Sequence, residues 1–134
     1  MIRFRLDPLR EWAEGVAQRA ADPSPALEAS APEFSEAVKA HFYRGGPEGA
    51  PWKPLKDASG RKPLVRTGAL RDSIRAEVAD RELTVGSALP YAAIHQRGGR
   101  AIPARPFLVI PDENLRRAVE SLIGWLVSGE ARRG

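Results

Sequence analysis

The chain has 134 residues, the size of a single domain, and its hydrophobic content of 43% is that of an ordinary folded protein. It has no cysteine, which excludes disulfides, thiolate metal sites and a cysteine nucleophile. No apolar run approaches the ~20 residues that span a bilayer, and the first six residues lack the apolar stretch of a signal peptide. We therefore expect one domain over residues 1–134, without a membrane segment and without secretion by that route.

The net charge of +4 is unevenly distributed along the chain. Residues 1–50 hold six basic and eight acidic side chains, a balance of −2. Residues 51–106 hold eleven and five, a balance of +6, and residues 107–134 hold four of each. The basic middle either meets phosphate or an acidic partner, or is simply a solvated basic surface.

Two helices are predicted in the N-terminal third. Asp7-Pro8 is typical of a helix start, because Asp caps free N–H groups and Pro suits the first helical position. One apolar face then follows at helical spacing: Leu9, Trp12, Ala13, Val16, Ala17 and Ala20. Residues 22–25 (Asp-Pro-Ser-Pro) end this helix.

The second predicted helix runs to about Tyr43 and stops at Gly45-Gly46. Pro32 either starts it or kinks it. Its apolar face consists of Phe34, Ala37, Val38, His41 and Phe42. Residues 44–66 are then rich in Pro and Gly and predict a long loop with Trp52 and Leu55 as apolar anchors. We expect this loop to be mobile in the free protein and ordered on assembly.

A short helical turn, a hairpin, two further helices and a buried strand are predicted after the loop. Thr67 can cap a short helical turn. Apolar and polar residues alternate on both sides of Asp80-Arg81, which predicts a β-hairpin with its turn there. Pro90 opens a short helix over residues 91–96 that Gly98-Gly99 closes, residues 107–110 predict a buried strand, and a helix begins at about Asp112.

The last helix carries an apolar stripe and precedes a tail, residues 129–134, that we expect to be frayed. The stripe consists of Leu115, Val119, Leu122 and Leu126, with Ala118, Ile123 and Trp125 beside it. The order of elements predicts an α+β fold with N-terminal helices, a small and mainly antiparallel sheet, a short helix and a C-terminal helix.

The sequence offers no catalytic, cofactor or metal centre. His41 and His95 are the only histidines, and no HExxH spacing exists. Ser73 and Ser87 do not lie in a GxSxG elbow. The paired glycines match neither a P-loop nor a dinucleotide fingerprint. We therefore expect that the protein is not an enzyme.

Non-specific contact with DNA, or with an acidic partner, is the alternative function. Phosphate binding needs exposed cations, and no motif that reads base sequence accompanies them here. The candidate contact residues in the basic middle are Arg61, Lys62, Arg66, Arg71, Arg97 and Arg100.

Three stretches of the chain together resemble a known family. Residues 46–55 read Gly-Pro-Glu-Gly-Ala-Pro-Trp-Lys-Pro-Leu, and residues 61–74 read Arg-Lys-Pro-Leu-Val-Arg-Thr-Gly-Ala-Leu-Arg-Asp-Ser-Ile. Val-Gly-Ser at 85–87, Tyr-Ala-Ala-Ile-His-Gln at 91–96 and Ile-Pro-Ala-Arg-Pro-Phe-Leu at 102–108 follow. In order and content these resemble the phage virion-morphogenesis family, the tail-completion proteins of Mu-like and P2-like contractile-tailed phages.

The motif residues of this resemblance have structural interpretations that need no catalysis. Gly68, Gly86 and Gly98 would permit tight turns. Tyr91, Ile94, His95 and Phe107 would pack the short helix against the sheet, and Arg105 would pair with a carboxylate or with carbonyl groups. The full set is Trp52, Pro54, Leu55, Thr67, Gly68, Leu70, Gly86, Tyr91, His95, Gln96, Gly98, Arg105, Pro106 and Phe107.

The resemblance implies a structural protein of the virion tail or neck, which acts at the head–tail junction at the end of tail assembly. It would be made in the bacterial host cytoplasm and would work as a ring of identical subunits that contacts other tail or neck proteins. Trp12, Trp52 and Trp125 either take part in such contacts or all lie in the core of the monomer.

Overall fold

A computed structural model describes residues 1–3, 5–57 and 59–131. In this part of the chain the helices are α1 (Asp7–Ala21), α2 (Ser24–Arg44), α3 (Ala69–Asp72), α4 (Ala92–Arg97) and α5 (Asp112–Ser128), and the strands are β1 (Arg75–Ala79) and β2 (Glu82–Gly86). The predicted α+β class, with helices at both ends and a small antiparallel sheet between them, is confirmed. Most of the predicted frayed tail, residues 132–134, lies outside the described residues.

α2 is the central element, against which the hairpin, α3 and α5 pack. Its buried residues recur every three or four positions along one face: Ala26, Ser30, Phe34, Val38, His41 and Phe42. Pro32 lies inside this helix, on its exposed side, and does not start it. Gly45 ends it in the left-handed region at φ 83°, and its N–H donates to the His41 carbonyl over 2.9 Å.

The hairpin turns at Asp80 and Arg81, as the sequence predicts. Both residues have positive φ, 51° and 63°, which is the geometry of a type I′ turn. The register pairs Ala76 with Val85 and Val78 with Leu83. These half-buried side chains share one face of the hairpin, and α2 packs against the same hairpin.

Residues 107–110 do not form the predicted strand. The backbone N–H groups of Phe107 and Leu108 both donate to Gln96 Oε1, over 2.9 and 3.0 Å, so they are not available to a neighbouring strand. The Val109 carbonyl instead lies 2.8 Å from His41 Nε2. A side-chain amide and an imidazole therefore take the place of a sheet partner, and only Phe107 of the four is fully buried.

One hydrophobic core lies between α2, the loop that follows it, α3, the hairpin and residues 103–110. Its buried members are Val38, Phe42, Trp52, Leu70, Ile74, Ala92 and Phe107. Half-buried residues close its edges: Leu64, Val65, Val85, Leu89 and Ile110. The long loop contributes Trp52 to this core, so the loop is part of the fold.

α1 and α5 pack against each other at the periphery. No residue of α1 is fully buried, and Asp7 lies within its first turn without the predicted side-chain cap hydrogen bond. Trp12 Nε1 donates to the Val127 carbonyl over 3.2 Å, and Arg19 Nε donates to the Leu126 carbonyl over 2.9 Å. No helix in the described part of the chain is long and apolar enough to cross a membrane.

Candidate functional site

Trp52 anchors the long loop to the core. Its indole ring lies edge-on to Phe42, with 5.3 Å between ring centroids and 76° between planes. Its Nε1 donates to the Pro106 carbonyl over 2.8 Å, and its backbone N–H donates to the Gly45 carbonyl over 2.8 Å. One residue thus joins the end of α2, the loop and the segment before Phe107.

Arg105 makes a second connection to the same loop. It keeps only 6% of its accessible surface. Its Nε donates to the Lys53 carbonyl over 2.9 Å and its Nη2 to the Pro54 carbonyl over 3.2 Å. Its backbone N–H donates to the His95 carbonyl of α4 over 2.8 Å. Of the two expected kinds of partner for Arg105, the structure shows the carbonyl groups.

Two of the three motif glycines have backbone geometry that other residues adopt with strain. Gly68 at φ 72° precedes α3, whose first N–H, that of Ala69, donates to Thr67 Oγ1 over 3.2 Å. Gly98 at φ 84° ends α4, and a Cβ there would lie 3.0 Å from the Ala104 nitrogen. Gly86 differs from the expectation, because it lies in β2 without a positive φ and with open space around its Cα.

α4 does not pack against the sheet through the expected side chains. Tyr91 and Ile94 are exposed by 41% and 44%. Ala92 is the residue of this helix that enters the core, beside Phe107. Tyr91 instead packs edge-on against the His95 imidazole, with 5.9 Å between ring centroids. Burial, and next the positive charge of Arg105, hold the pKa of His95 below its usual value of 6.5.

His95 and Arg105 line one cleft together with the loop, which we call the Arg105 cleft. It has a volume of about 390 Å³. Its lining consists of Leu55, Leu64, Arg66, Thr67, Leu70, Tyr91, His95 and Arg105. Six of these are motif residues of the sequence resemblance, so the structure brings together residues that are up to 50 positions apart in the chain.

The candidate DNA-contacting residues divide into two groups. Arg61 pairs with Asp57 at 3.1 Å, Arg71 pairs with Asp72 at 2.7 Å, and Lys62 donates to the Tyr43 carbonyl. Arg71 also lies over the Tyr43 ring at 5.2 Å. In the described part of the chain, no ion pair involves the other three: Arg66, Arg97 and Arg100.

An exposed apolar surface runs along α5 onto α1. All of its residues except Val127 were named from the sequence as apolar helix faces, and the structure shows that they stay exposed. We call this surface the apolar ribbon. Its residues are Leu9, Trp12, Leu115, Val119, Ile123 and Val127, each exposed by 46–59%. The four on α5 recur every four residues, and the hydrogen bond from Trp12 to Val127 joins the two helices. The sequence indicates this surface because α5 has more apolar residues than one packed face needs. Leu122, Trp125 and Leu126 already form a half-buried face, which leaves the other apolar residues of α5 exposed.

No group of three or more His, Cys, Asp or Glu side chains in residues 1–3, 5–57 and 59–131 is placed to hold a metal ion. His41 is 2% exposed and lies on the buried face of α2, where its Nε2 meets the Val109 carbonyl.

Comparison with known proteins identifies the family to which the protein belongs. The family model of the phage virion morphogenesis family matches residues 4–127, and the chain belongs to this family. It is similar to Mu-like prophage FluMu G protein 2 of Haemophilus influenzae, with 39% identity over 132 residues that cover 91% of this chain and 94% of the relative. No solved structure matches the chain. The resemblance drawn from the three sequence stretches is confirmed, and with it a role in building phage particles.

Proposed function

We propose that this protein is a non-enzymatic component that completes the phage tail and joins it to the head, as a ring of identical subunits at the head-proximal tail end. The observation that carries the proposal is the apolar ribbon. Single-chain proteins in water rarely leave contiguous apolar surface exposed, and such surface marks protein contacts. In a family that builds virions, the contact is with other particle subunits.

Another copy of the same chain is the occupant that we propose for the ribbon. A ring needs a heterologous interface, in which one patch of each subunit meets a different patch of the next. The charge distribution supports this arrangement, because residues 1–50 carry −2 and residues 51–106 carry +6. Such opposite charges on one chain favour head-to-tail contact between copies.

The assignment is tested on particles. Electron microscopy of tails made with and without this protein should show an added ring of density at the head-proximal end only when the protein is present. Normal, capped and infectious particles made in its absence would refute the assignment.

The ribbon is tested separately with a double variant, Val119→Ser with Ile123→Ser. Both residues are 55% exposed, so the variant should melt within a few degrees of the native chain while it fails to complement a deletion. The matched control is Ile94→Ser with Ile102→Ser, which removes two exposed aliphatic side chains outside the ribbon. Full complementation by the ribbon variant would exclude the ribbon as the assembly surface.

DNA contact is the second candidate function, supported by the three arginines without ion pairs. Three phosphate contacts predict that the logarithm of affinity for random duplex falls with the logarithm of salt concentration with a slope of about −3. A triple variant of Arg66, Arg97 and Arg100 to Gln should abolish that slope. Binding that does not depend on salt would leave these residues as a solvated surface.

A further inference from the structure

The Arg105 cleft contains a buried positive charge without a carboxylate partner. Arg105 is buried, and its guanidinium hydrogen bonds go to two neutral carbonyl groups. None of the ion pairs in the described part of the chain includes it. Buried charges in proteins are ordinarily paired, because a carbonyl dipole compensates a full charge only in part.

Two more polar groups of the cleft are also without partners. His95 Nδ1 is buried and has no hydrogen-bond partner among the described residues. Arg66, which directly precedes Thr67 in the sequence, lines the same cleft and is exposed. A guanidinium, an imidazole and a second guanidinium therefore border one space that contains no acidic side chain.

Apart from Thr67, whose hydroxyl accepts from the Ala69 N–H, the remaining walls of the cleft are mainly apolar. Leu55, Leu64 and Leu70 form them, with the Tyr91 ring at the side of His95. A volume of about 390 Å³ accommodates one inserted side chain and lies in the range of small-molecule sites. A carboxylate on an aliphatic stem matches both parts, because its methylene groups meet leucine and its charge meets arginine.

We propose that the Arg105 cleft binds a carboxylate on a short aliphatic stem, as presented by a glutamate side chain of a neighbouring copy of this protein. The neighbouring copy is favoured because residues 1–50 carry eight carboxylates and a balance of −2, whereas the cleft belongs to the basic middle. That the carboxylate comes from a neighbouring copy rests on the proposed ring, but the carboxylate site itself does not depend on it.

The site is tested on the isolated chain with butyrate, which reproduces the glutamate stem, and with butyramide, its neutral analogue. The readout is the NMR signal of the two histidine rings, since the chain contains only His41 and His95. Butyrate should shift the His95 signals saturably and raise the pKa of His95, while His41, buried on α2, serves as an internal reference. Equal responses to butyrate and butyramide would overturn the proposal.

Inorganic phosphate is the third probe, because a phosphate of DNA or of solution is the competing source of negative charge. The leucine walls predict weaker binding of phosphate than of butyrate. Tighter binding of phosphate would overturn the carboxylate assignment and identify a phosphate site.

Two charge-matched variants locate the site. Arg66→Gln should weaken butyrate binding by about two- to fivefold, the loss of one partly exposed charge pair. Arg116→Gln removes the same charge from an exposed position on α5, outside the cleft and outside the candidate DNA-contacting residues, and should leave binding unchanged. Equal effects of both variants would show that the response to butyrate depends only on the overall charge of the chain, and would refute the site. Because these titrations need no assembly, their failure is distinguishable from failure of the ring, which the particles test.

Discussion

Trp52 shows at the scale of one residue how the loop sequence determines the fold. It is 7% exposed although it lies between Pro51 and Lys53 in a stretch without helix or strand. The ring supplies apolar area to the core, and its N–H satisfies a carbonyl that no sheet partner reaches. A phenylalanine supplies the first contribution and lacks the second.

We expect Trp52→Phe to lower the free energy of unfolding by about 1–2 kcal/mol, the loss of a buried hydrogen bond and of some packed volume. Trp12→Phe is the control, because Trp12 is half exposed and its hydrogen bond is open to solvent. It should cost under about 0.5 kcal/mol. Urea unfolding followed by circular dichroism measures both, and equal losses would contradict the role assigned to Trp52.

His95 gives a prediction about acid stability. Its pKa in the folded chain lies below the usual 6.5, because burial and then Arg105 disfavour the charged imidazole. The unfolded chain therefore takes up this proton first as the pH falls. The contribution of His95 to stability is complete above about pH 6.5 and is lost as the pH falls through the lowered pKa.

Unfolding measurements between pH 5 and 7 should therefore show falling stability toward acid, and His95→Gln should flatten that dependence. NMR titration of the native chain should show His95 titrating below 6.5. Parallel profiles for the native chain and the variant would contradict this origin of the pH dependence.

At the scale of elements, the parts that could be predicted from sequence are those determined by adjacent residues. Gly45 ends α2 because it adopts positive φ. The hairpin turns at Asp80-Arg81 because these two polar residues separate two segments in which apolar and polar residues alternate. Residues 107–110 were wrongly predicted as a strand, because the N–H groups of Phe107 and Leu108 are taken by Gln96, whose position depends on the fold of α4. The Arg105 cleft could not be located for the same reason, although its motif residues were named.

The hairpin turn itself provides a stabilising substitution. Asp80 and Arg81 adopt positive φ, which costs residues with a Cβ about 1 kcal/mol and which Asn-Gly adopts readily. The double variant Asp80→Asn with Arg81→Gly should raise the free energy of unfolding by roughly 0.5–1 kcal/mol. Thermal unfolding measures it, with Arg81→Ala as a control that keeps the strain. Stabilisation by the alanine variant would show that strain is not the cause.

At the scale of the whole molecule, the long loop is anchored to the core at Trp52 and is exposed to solvent further along the chain. Lys56, Asp57 and residues 59–62 are exposed, whereas Pro63 is buried and Leu64 packs at the edge of the core. The sequence-based expectation of mobility in the free protein stays a prediction, and it applies best to this open portion.

Limited trypsin digestion tests it, because Lys56 and Arg61 offer cleavable bonds in the open portion. The first cuts should follow these two residues, roughly tenfold faster than a cut after Lys39 in the middle of α2. Cleavage that begins in α2 would contradict a folded scaffold with an open loop.

The peripheral position of α1 has a consequence for cooperativity. α1 contributes no fully buried residue, and α5 is the helix against which it packs. Detaching α1 exposes the Trp12 and Arg19 contacts but leaves the core around Phe42 intact. The chain should therefore open at two levels of free energy, with the amides of α1 exchanging with deuterium well before those of α2. A helix that opens alone presents its own apolar side and that of α5 to solvent at the same moment, so the native monomer should carry a small population in which both apolar sides are exposed.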